Sequence, residues 1–231
     1  MTDGTTRTGK GERTRAAILD AALHLFRERG YEATTMRAIA EEAGVAVGNA
    51  YYYFRSKEHL VQGFYDRTHV EHEAACAPVL AASDDLGERL RGVLRAKISS
   101  ARPYHRLSGL LFKTAADPKS PLNPFSDASR EVRERATALM REVVEGSRTK
   151  VPKDLRAELP ELLWLYMMSV ILFWIHDDSE EQVRTDRLID RTVDMVCRLI
   201  SVAGLPLMGS LRGSVLGLLE ELRPDAAPPA S

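Results

Sequence analysis

Asn49, Tyr51 and Tyr52 bring an amide and two phenolic hydroxyls close together, directly behind Val47 and Gly48. Asparagine can bond a base edge or a phosphate oxygen, and Val47 can pack on a thymine methyl. Tyr51 and Tyr52 are long, stiff and hydroxyl-tipped, so they can reach phosphate while losing little rotamer freedom. Gly48 has no side chain and lets the backbone approach a broad partner closely. Upstream, Thr35 can cap a helix whose free N–H groups face phosphate. Arg37 and Lys57 can each neutralise a phosphate. The chemistry is that of a protein lying on double-stranded DNA. Any single tyrosine of 51–53 can instead be plain core, and Phe54 is read as core.

These groups need a scaffold, and the surrounding pattern supplies one. A first helix is expected from about Glu12 to Arg29, with Ile18, Ala22, Leu25 and Phe26 at helical spacing and Gly30 ending it. A second runs from Met36 to Ala43, with Ile39, Ala40 and Ala43 inward. Gly44 then turns the chain and Val45 fills the corner. The third helix is short, Val47 to Tyr53. Ser56 caps a fourth, with Glu58 in its first turn, reaching about Ala82. This is a helix-turn-helix whose second helix faces DNA. Further helices are expected over Leu86–Arg102, Pro103–Ala116, Phe125–Gly146, Lys153–Asp177 and Val183–Ala203, and a weaker one over Ser210–Arg223. The segment Asp117–Pro124 carries three prolines and is a loop. No period-two alternation appears. The chain reads as all-α: a disordered arm at 1–11, a three-helix DNA-binding domain at 12–62, a larger helical ligand-binding and dimerisation domain at 63–223, and a disordered tail at 224–231. Arg7 and Lys10 either form a minor-groove arm or are simply solvated.

Composition narrows the field. The chain has 231 residues, 44% hydrophobic and 28% charged, with a formal net charge of -1. Its first sixty residues hold nine Lys/Arg against eight Asp/Glu, so DNA binding must rest on a few placed donors rather than bulk basicity. Two distant cysteines, Cys76 and Cys197, argue against a disulfide framework and read as small buried residues. The polar N-terminus lacks the apolar core of a secretory signal. The longest apolar run, Leu162–Ile175, is about 14 residues, short of the roughly 20 that a membrane span needs. A cytoplasmic protein is expected. His69 and His72, with Glu73 beside them, have metal-ligand spacing but no clear third ligand, so a solvated face is the better reading. No HExxH, P-loop, GxSxG or paired-carboxylate motif is present, so no catalytic residue, metal or cofactor is expected.

Thr35-x3-Ile39-Ala40-x2-Ala43-Gly44-Val45, Gly48-Asn49-x-Tyr51-Tyr52-x-Phe54 and Ser56-Lys57-Glu58-x-Leu60 stand in register. Over about residues 12–62 the chain resembles the TetR (tetracycline repressor) family of transcriptional regulators. The resemblance implies that Thr35, Gly48, Tyr51, Tyr52 and Lys57 contact mostly the DNA backbone. Two positions depart from the family. Ala46 replaces a capping Ser or Thr, a loss of about 1 kcal/mol of helix stability, and Val47 replaces a basic or polar residue.

The resemblance also implies a homodimer closed by the last two long helices, reading a palindromic operator. One short recognition helix buries too little surface alone. Leu162–Ile175 is apolar nearly all round. Ile189, Val193, Val196 and Ile200 share one face, rimmed by Arg187, Arg191, Asp194 and Arg198, and both helices can also pack only internally. It further implies a cavity for a small-molecule effector, apolar or aromatic in kind. Tyr104, His105, Phe112, Trp164, Met167, Met168, Phe173 and Trp174 are its candidate lining, or else ordinary core. The expected protein is a ligand-released repressor with no membrane partner. The alternative is a constitutive DNA-binding dimer without an effector.

Overall fold

The computed structural model describes residues 4–203 together with 205, 209, 210, 213, 214 and 217. Among them it contains nine α-helices and no strand: α1 Gly4–Arg29, α2 Met36–Glu42, α3 Val47–Tyr53, α4 Lys57–Ala82, α5 Leu86–Ala101, α6 His105–Ala115, α7 Arg130–Glu145, α8 Lys153–Ile175 and α9 Val183–Ala203. The all-α expectation therefore holds. The segment read as Pro103–Ala116 opens with a 3-10 turn at Arg102–Tyr104, and that read as Phe125–Gly146 starts later, after a second 3-10 turn at Asp127–Ser129. The helix read over Ser210–Arg223 and the tail from 224 lie outside the described residues, apart from Ser210, Gly213, Ser214 and Gly217.

The start of α1 departs from expectation. The arm read as disordered to residue 11 is helical from Gly4. Once the anchored turns around Ile18 exist, each added residue extends the helix without a new nucleation cost. Arg13 Nε donates to the Gly9 carbonyl at 3.1 Å and Thr14 Oγ1 to the Lys10 carbonyl at 3.0 Å. Arg7 and Lys10 thus belong to a helix rather than to a loose strand.

The chain forms two compact units. The first holds the described residues of Met1–Glu71 and Ser100–Glu134. Its core is Ile18, Ala22, Leu25 and Phe26 of α1, Met36, Ile39 and Ala40 of α2, Ala50 of α3, and Leu60, Val61 and Phe64 of α4. Leu107, Leu111 and Ala115 of α6 and Leu122 of the following loop complete it. That is why this unit does not end at residue 62: α1 alone leaves apolar surface that α6 covers. The proline loop is ordered by its own side chains. Asn123 Oδ1 accepts from the Phe125 N–H, and the Ser126 and Ser129 hydroxyls donate to the Pro121 carbonyl.

The second unit holds the described residues of His72–Ser99 and Arg135–Ser231. Its apolar interior comes from Leu90, Val93 and Leu94 of α5, Leu139, Met140 and Val143 of α7, Leu163, Trp164, Met167, Val170 and Trp174 of α8, and Ile189, Val193 and Ile200 of α9. The α9 face read from spacing is thus internal, with Val196 half-buried. Other apolar side chains stay bare: Met195 (60% exposed), Leu199 (63%) and Val202 on α9, and Leu172 and Phe173 on α8. By length and composition α8 is long enough to cross a membrane, a longer element than the apolar run suggested. Eight of its residues are nevertheless buried inside this unit, and its first turns carry Lys153, Asp154, Arg156, Glu158 and Glu161.

His69 and His72 correct the reading of a solvated face, since both are buried. His72 Nε2 lies 2.9 Å from the Val93 carbonyl. A carbonyl only accepts, so that nitrogen carries the proton. Cys76 is buried as expected, which pushes its thiol up to about 12, whereas Cys197 is only half-buried.

Two buried polar groups tie the second unit together. The Arg89 guanidinium donates to four backbone carbonyls: Leu80 (2.5 Å), Ser83 (2.8 Å), Glu142 (2.7 Å) and Val143 (3.0 Å). One cation thereby satisfies orphan carbonyls at the C-terminal ends of α4 and α7 and complements both helix dipoles. Asp177, buried between α8 and α9, accepts from the Ser179 N–H and hydroxyl and from the Thr185 N–H and hydroxyl. Burial alone would raise its pKa, but these four bonds to the charged form outweigh it and hold the carboxyl at about 2, against an ordinary 3.8.

Arg89→Met, which keeps volume but strands the four carbonyls, is expected to cost about 2–4 kcal/mol in denaturant unfolding. The folded pKa of Asp177 lies below its unfolded value, so its contribution is present above the ordinary carboxylate range and lost as pH falls toward 2. The stability gap between the native chain and Asp177→Asn should therefore be widest near neutrality and shrink in acid, as read by pH-dependent thermal melts.

Candidate nucleic-acid interface

The helix-turn-helix is built by one backbone device and two side-chain clasps. Gly44 adopts φ +65°, a conformation that a β-carbon would strain. Its N–H donates to the Glu41 carbonyl at 3.1 Å, and the Val45 N–H to the Ala40 carbonyl at 2.9 Å. This pair of bonds is a Schellman closure, which ends α2 and swings the chain into α3. At the other end of α2, Thr35 Oγ1 accepts from the Ala38 N–H at 3.2 Å. Its own hydroxyl proton stays available to a phosphate oxygen. Its neighbour Thr34 is buried and donates to the Gly30 carbonyl at 2.8 Å.

The first clasp holds the far end of α3. Phe54 is buried, with the Arg15 guanidinium 4.9 Å from its ring centre. Gly63 of α4 lies against the same ring, where an added β-carbon would stand 2.9 Å from the ring edge and 3.4 Å from the Arg15 guanidinium. The second clasp joins the α1–α2 turn to the start of α4. The Tyr31 hydroxyl donates to Glu58 Oε1 at 2.8 Å. Lys57 Nζ donates to the carbonyls of Tyr31 (2.7 Å) and Glu32 (3.3 Å) and lies 4.4 Å from the Tyr31 ring centre. Partial burial would raise the Glu58 pKa, but its bonds from Ser56 and Tyr31 bring it below the usual value, while burial and the Glu58 bond push the Tyr31 hydroxyl well up.

With both ends held, α3 turns almost all of itself outward. Of its seven residues only Ala50 is buried. Val47 is 38% exposed, Tyr51 50% and Tyr52 81%, and Gly48 and Asn49 are exposed between them. The Tyr52 and Tyr53 rings meet edge-to-face at 5.1 Å, which stiffens the outer tyrosine. Arg37 is exposed at the start of α2. The structure therefore brings Thr35, Arg37, Val47, Gly48, Asn49, Tyr51 and Tyr52 to the surface of one unit. Lys57, the remaining candidate, is half-buried, with its ammonium donating to the Tyr31 and Glu32 carbonyls. Sequence reasoning missed Tyr31, Arg15 and Gly63. Tyr31 alone left a signal, as the aromatic directly after a helix-ending glycine, where an apolar contact commonly closes the turn.

The proposed effector lining is divided. Tyr104, His105 and Phe112 lie half-buried in the first unit, while Trp164, Met167, Met168, Phe173 and Trp174 lie in the second. Trp164, Met167 and Trp174 are packed core, Met168 is half-buried and Phe173 is exposed.

Comparison with known proteins agrees with this geometry. Residues 18–63 match the family described as bacterial regulatory proteins, tetR family. Residues 89–212, more than half of the chain, match the tetracyclin repressor-like C-terminal domain. The chain belongs to the TetR family. Among curated relatives, the HTH-type transcriptional repressor KstR of Mycolicibacterium smegmatis is 39% identical over 99 residues, 43% of this chain and 40% of that protein. The KstR of Rhodococcus jostii is 60% identical over 47 residues, 20% of this chain and 22% of its own. These matches span less than half of each relative's length. The fold is shared with FadR of Bacillus subtilis, solved in complex with stearoyl-CoA, at TM-score 0.62 and 19% identity over 77% of this chain and 96% of that one. It is shared as well with the TetR regulator of Nitrosomonas europaea, at TM-score 0.60 and 18% identity over 78% and 96%. These relatives are named as transcriptional regulators, not enzymes.

Ala46, at the N-cap of α3 with extended backbone angles, makes no side-chain cap bond. Ala46→Ser should therefore raise stability by about 0.5–1 kcal/mol, measured by thermal melting. An unchanged or lower melting temperature would refute the missing-cap account.

Proposed function

We propose that this TetR-family chain is a cytoplasmic, ligand-responsive transcriptional repressor that binds a palindromic operator as a homodimer and is released by an apolar or aromatic small molecule. The observation that carries the DNA-binding half is α3: a helix with one buried residue and an outward row of Val47, Gly48, Asn49, Tyr51 and Tyr52. On this reading Tyr51, Tyr52 and Thr35 hold phosphates, Arg37 neutralises another, and Asn49 and Val47 face the bases.

The homodimer is supported by the apolar side chains left bare on these two long helices, Leu172 and Phe173 on α8 and Met195, Leu199 and Val202 on α9. Exposed apolar side chains are costly in water, and a second copy meeting them about a two-fold axis would cover them. A dimer presents two heads to two half-sites, which one short helix cannot replace.

Ligand release is supported by likeness to FadR, whose structure contains stearoyl-CoA. Residues of α4 belong to both units, so a ligand that shifts this helix alters the head. Coupling of roughly 1–3 kcal/mol changes operator affinity 5–150-fold. The alternative, a constitutive dimer, is favoured by one observation: Trp164, Met167 and Trp174 are already closed into core.

The test combines mobility shift on the DNA upstream of the chain's own gene with melting in the presence of stearoyl-CoA. The native protein should shift that duplex as a dimer, and Tyr52→Ala should weaken binding at least tenfold at unchanged melting temperature. A saturating ligand must raise the melting temperature. Failure to bind duplex DNA at low salt would remove the function. Binding that persists at every effector concentration of a broad acyl-CoA and aromatic panel, without a melting shift, would favour the constitutive reading.

A further inference from the structure

We propose that Val47 is a specificity-determining residue that reads the C5 methyl group of a pyrimidine in each half-site. The chain then distinguishes thymine from uracil, and 5-methylcytosine from cytosine, at one position of its operator. This rests on the DNA-binding reading above and names the feature of the duplex that the start of α3 selects.

The start of α3 offers DNA little that is polar. Ala46 stands at its N-cap without a side-chain bond, and Val47 and Gly48 follow. All three are exposed, and a β-carbon added at Gly48 would meet no atom within 4 Å. Val47 is thus an isopropyl group, 38% exposed, with alanine before it and bare backbone after it. Its branched β-carbon strongly favours one rotamer in a helix, so little side-chain freedom is lost when it is covered. No residue of α3 is charged. The helix itself therefore carries neither the Arg or Lys that pairs with guanine nor the carboxylate that accepts from cytosine.

An isopropyl group neither donates nor accepts a hydrogen bond, so phosphate oxygens and the polar atoms of base edges give it no favourable partner. Among the four bases, the major groove presents one apolar group, the C5 methyl of thymine. A recognition helix meets base edges through its N-terminal residues, and Val47 is the first residue of α3. Covering the valine with that methyl removes apolar surface of both from water. An unmethylated base in the same place leaves the valine against polar atoms, which it desolvates without replacing their bonds. The methyl is all that Val47 can sense. 5-Methylcytosine carries a methyl on the same ring carbon and offers the same contact from a G·C pair. Asn49, whose amide bonds polar atoms, makes no such distinction.

The probe is a duplex that the native protein enriches from a random pool, with each thymine replaced singly by deoxyuridine. That exchange removes the methyl and keeps every hydrogen-bonding atom. Affinity should fall about fourfold at one thymine of each half-site, the value of burying one methyl group. At that position 5-methylcytosine should bind more tightly than cytosine by a similar factor. Val47→Ala, with the better helix former in place, should keep its thermal melt and bind the thymine and uracil duplexes alike. A native protein indifferent to the methyl at every thymine would overturn the proposal, whatever the variant does. A methyl preference that Val47→Ala retains would overturn it too. Failure of the native protein to enrich any duplex would instead overturn the DNA-binding reading beneath it.

Discussion

A helix of seven residues does not persist in water, because nucleation costs more than so few hydrogen bonds return. Everything at the DNA-facing surface depends on how α3 escapes that limit. It does so with almost no burial of its own, since only Ala50 enters the core. The order is supplied from its two ends. Before it, Gly44 closes α2 with two backbone bonds and sets the exit direction. After it, Phe54 is buried against the Arg15 guanidinium and the bare backbone at Gly63. A helix pinned at both ends can spend its middle on contact, and Tyr51 and Tyr52 are free to project because nothing needs them inside.

The same economy governs charge. Net charge is nearly zero, so no broad field draws the protein to DNA, and the head must place each cation individually. Arg15 is used on a ring, Lys57 on two carbonyls, and Arg67 pairs with Asp20 at 2.6 Å. Basic residues that look interchangeable in composition are divided between holding the head together and remaining exposed. In the second unit Arg89 takes this to its limit, a buried guanidinium bonded to four backbone carbonyls. Arg91 and Arg95 instead meet Asp190 and Asp194 near the surface, where ion pairs contribute little.

The apolar surface tells a complementary story. The Leu162–Ile175 stretch of α8 is apolar nearly all round, and only part of it is buried. What remains lies on both helices, with Phe173 on α8 and Leu199 on α9. Uncovered apolar side chains of this size on consecutive long helices are costly in water.

Local chemistry was legible in the residues themselves. Gly44 in a positive-φ turn, Thr35 as a cap, the bounds of α3 and α9, and the outward row from Val47 to Tyr52 follow from spacing and from the conformations each residue tolerates, which are properties of short segments. Pairings distant in sequence were not legible. That α6 would complete the head's core, that Lys57 would fold onto the Tyr31 carbonyl, that His69 and His72 would be buried, and that the inward face of α9 would leave Met195 and Leu199 bare all depend on which helix lies against which. An amphipathic pattern states that a face is buried but not what buries it, and a lysine's type states its charge but not its partner. Those choices are made by the packing of helices far apart along the chain, and only the tertiary structure holds that information.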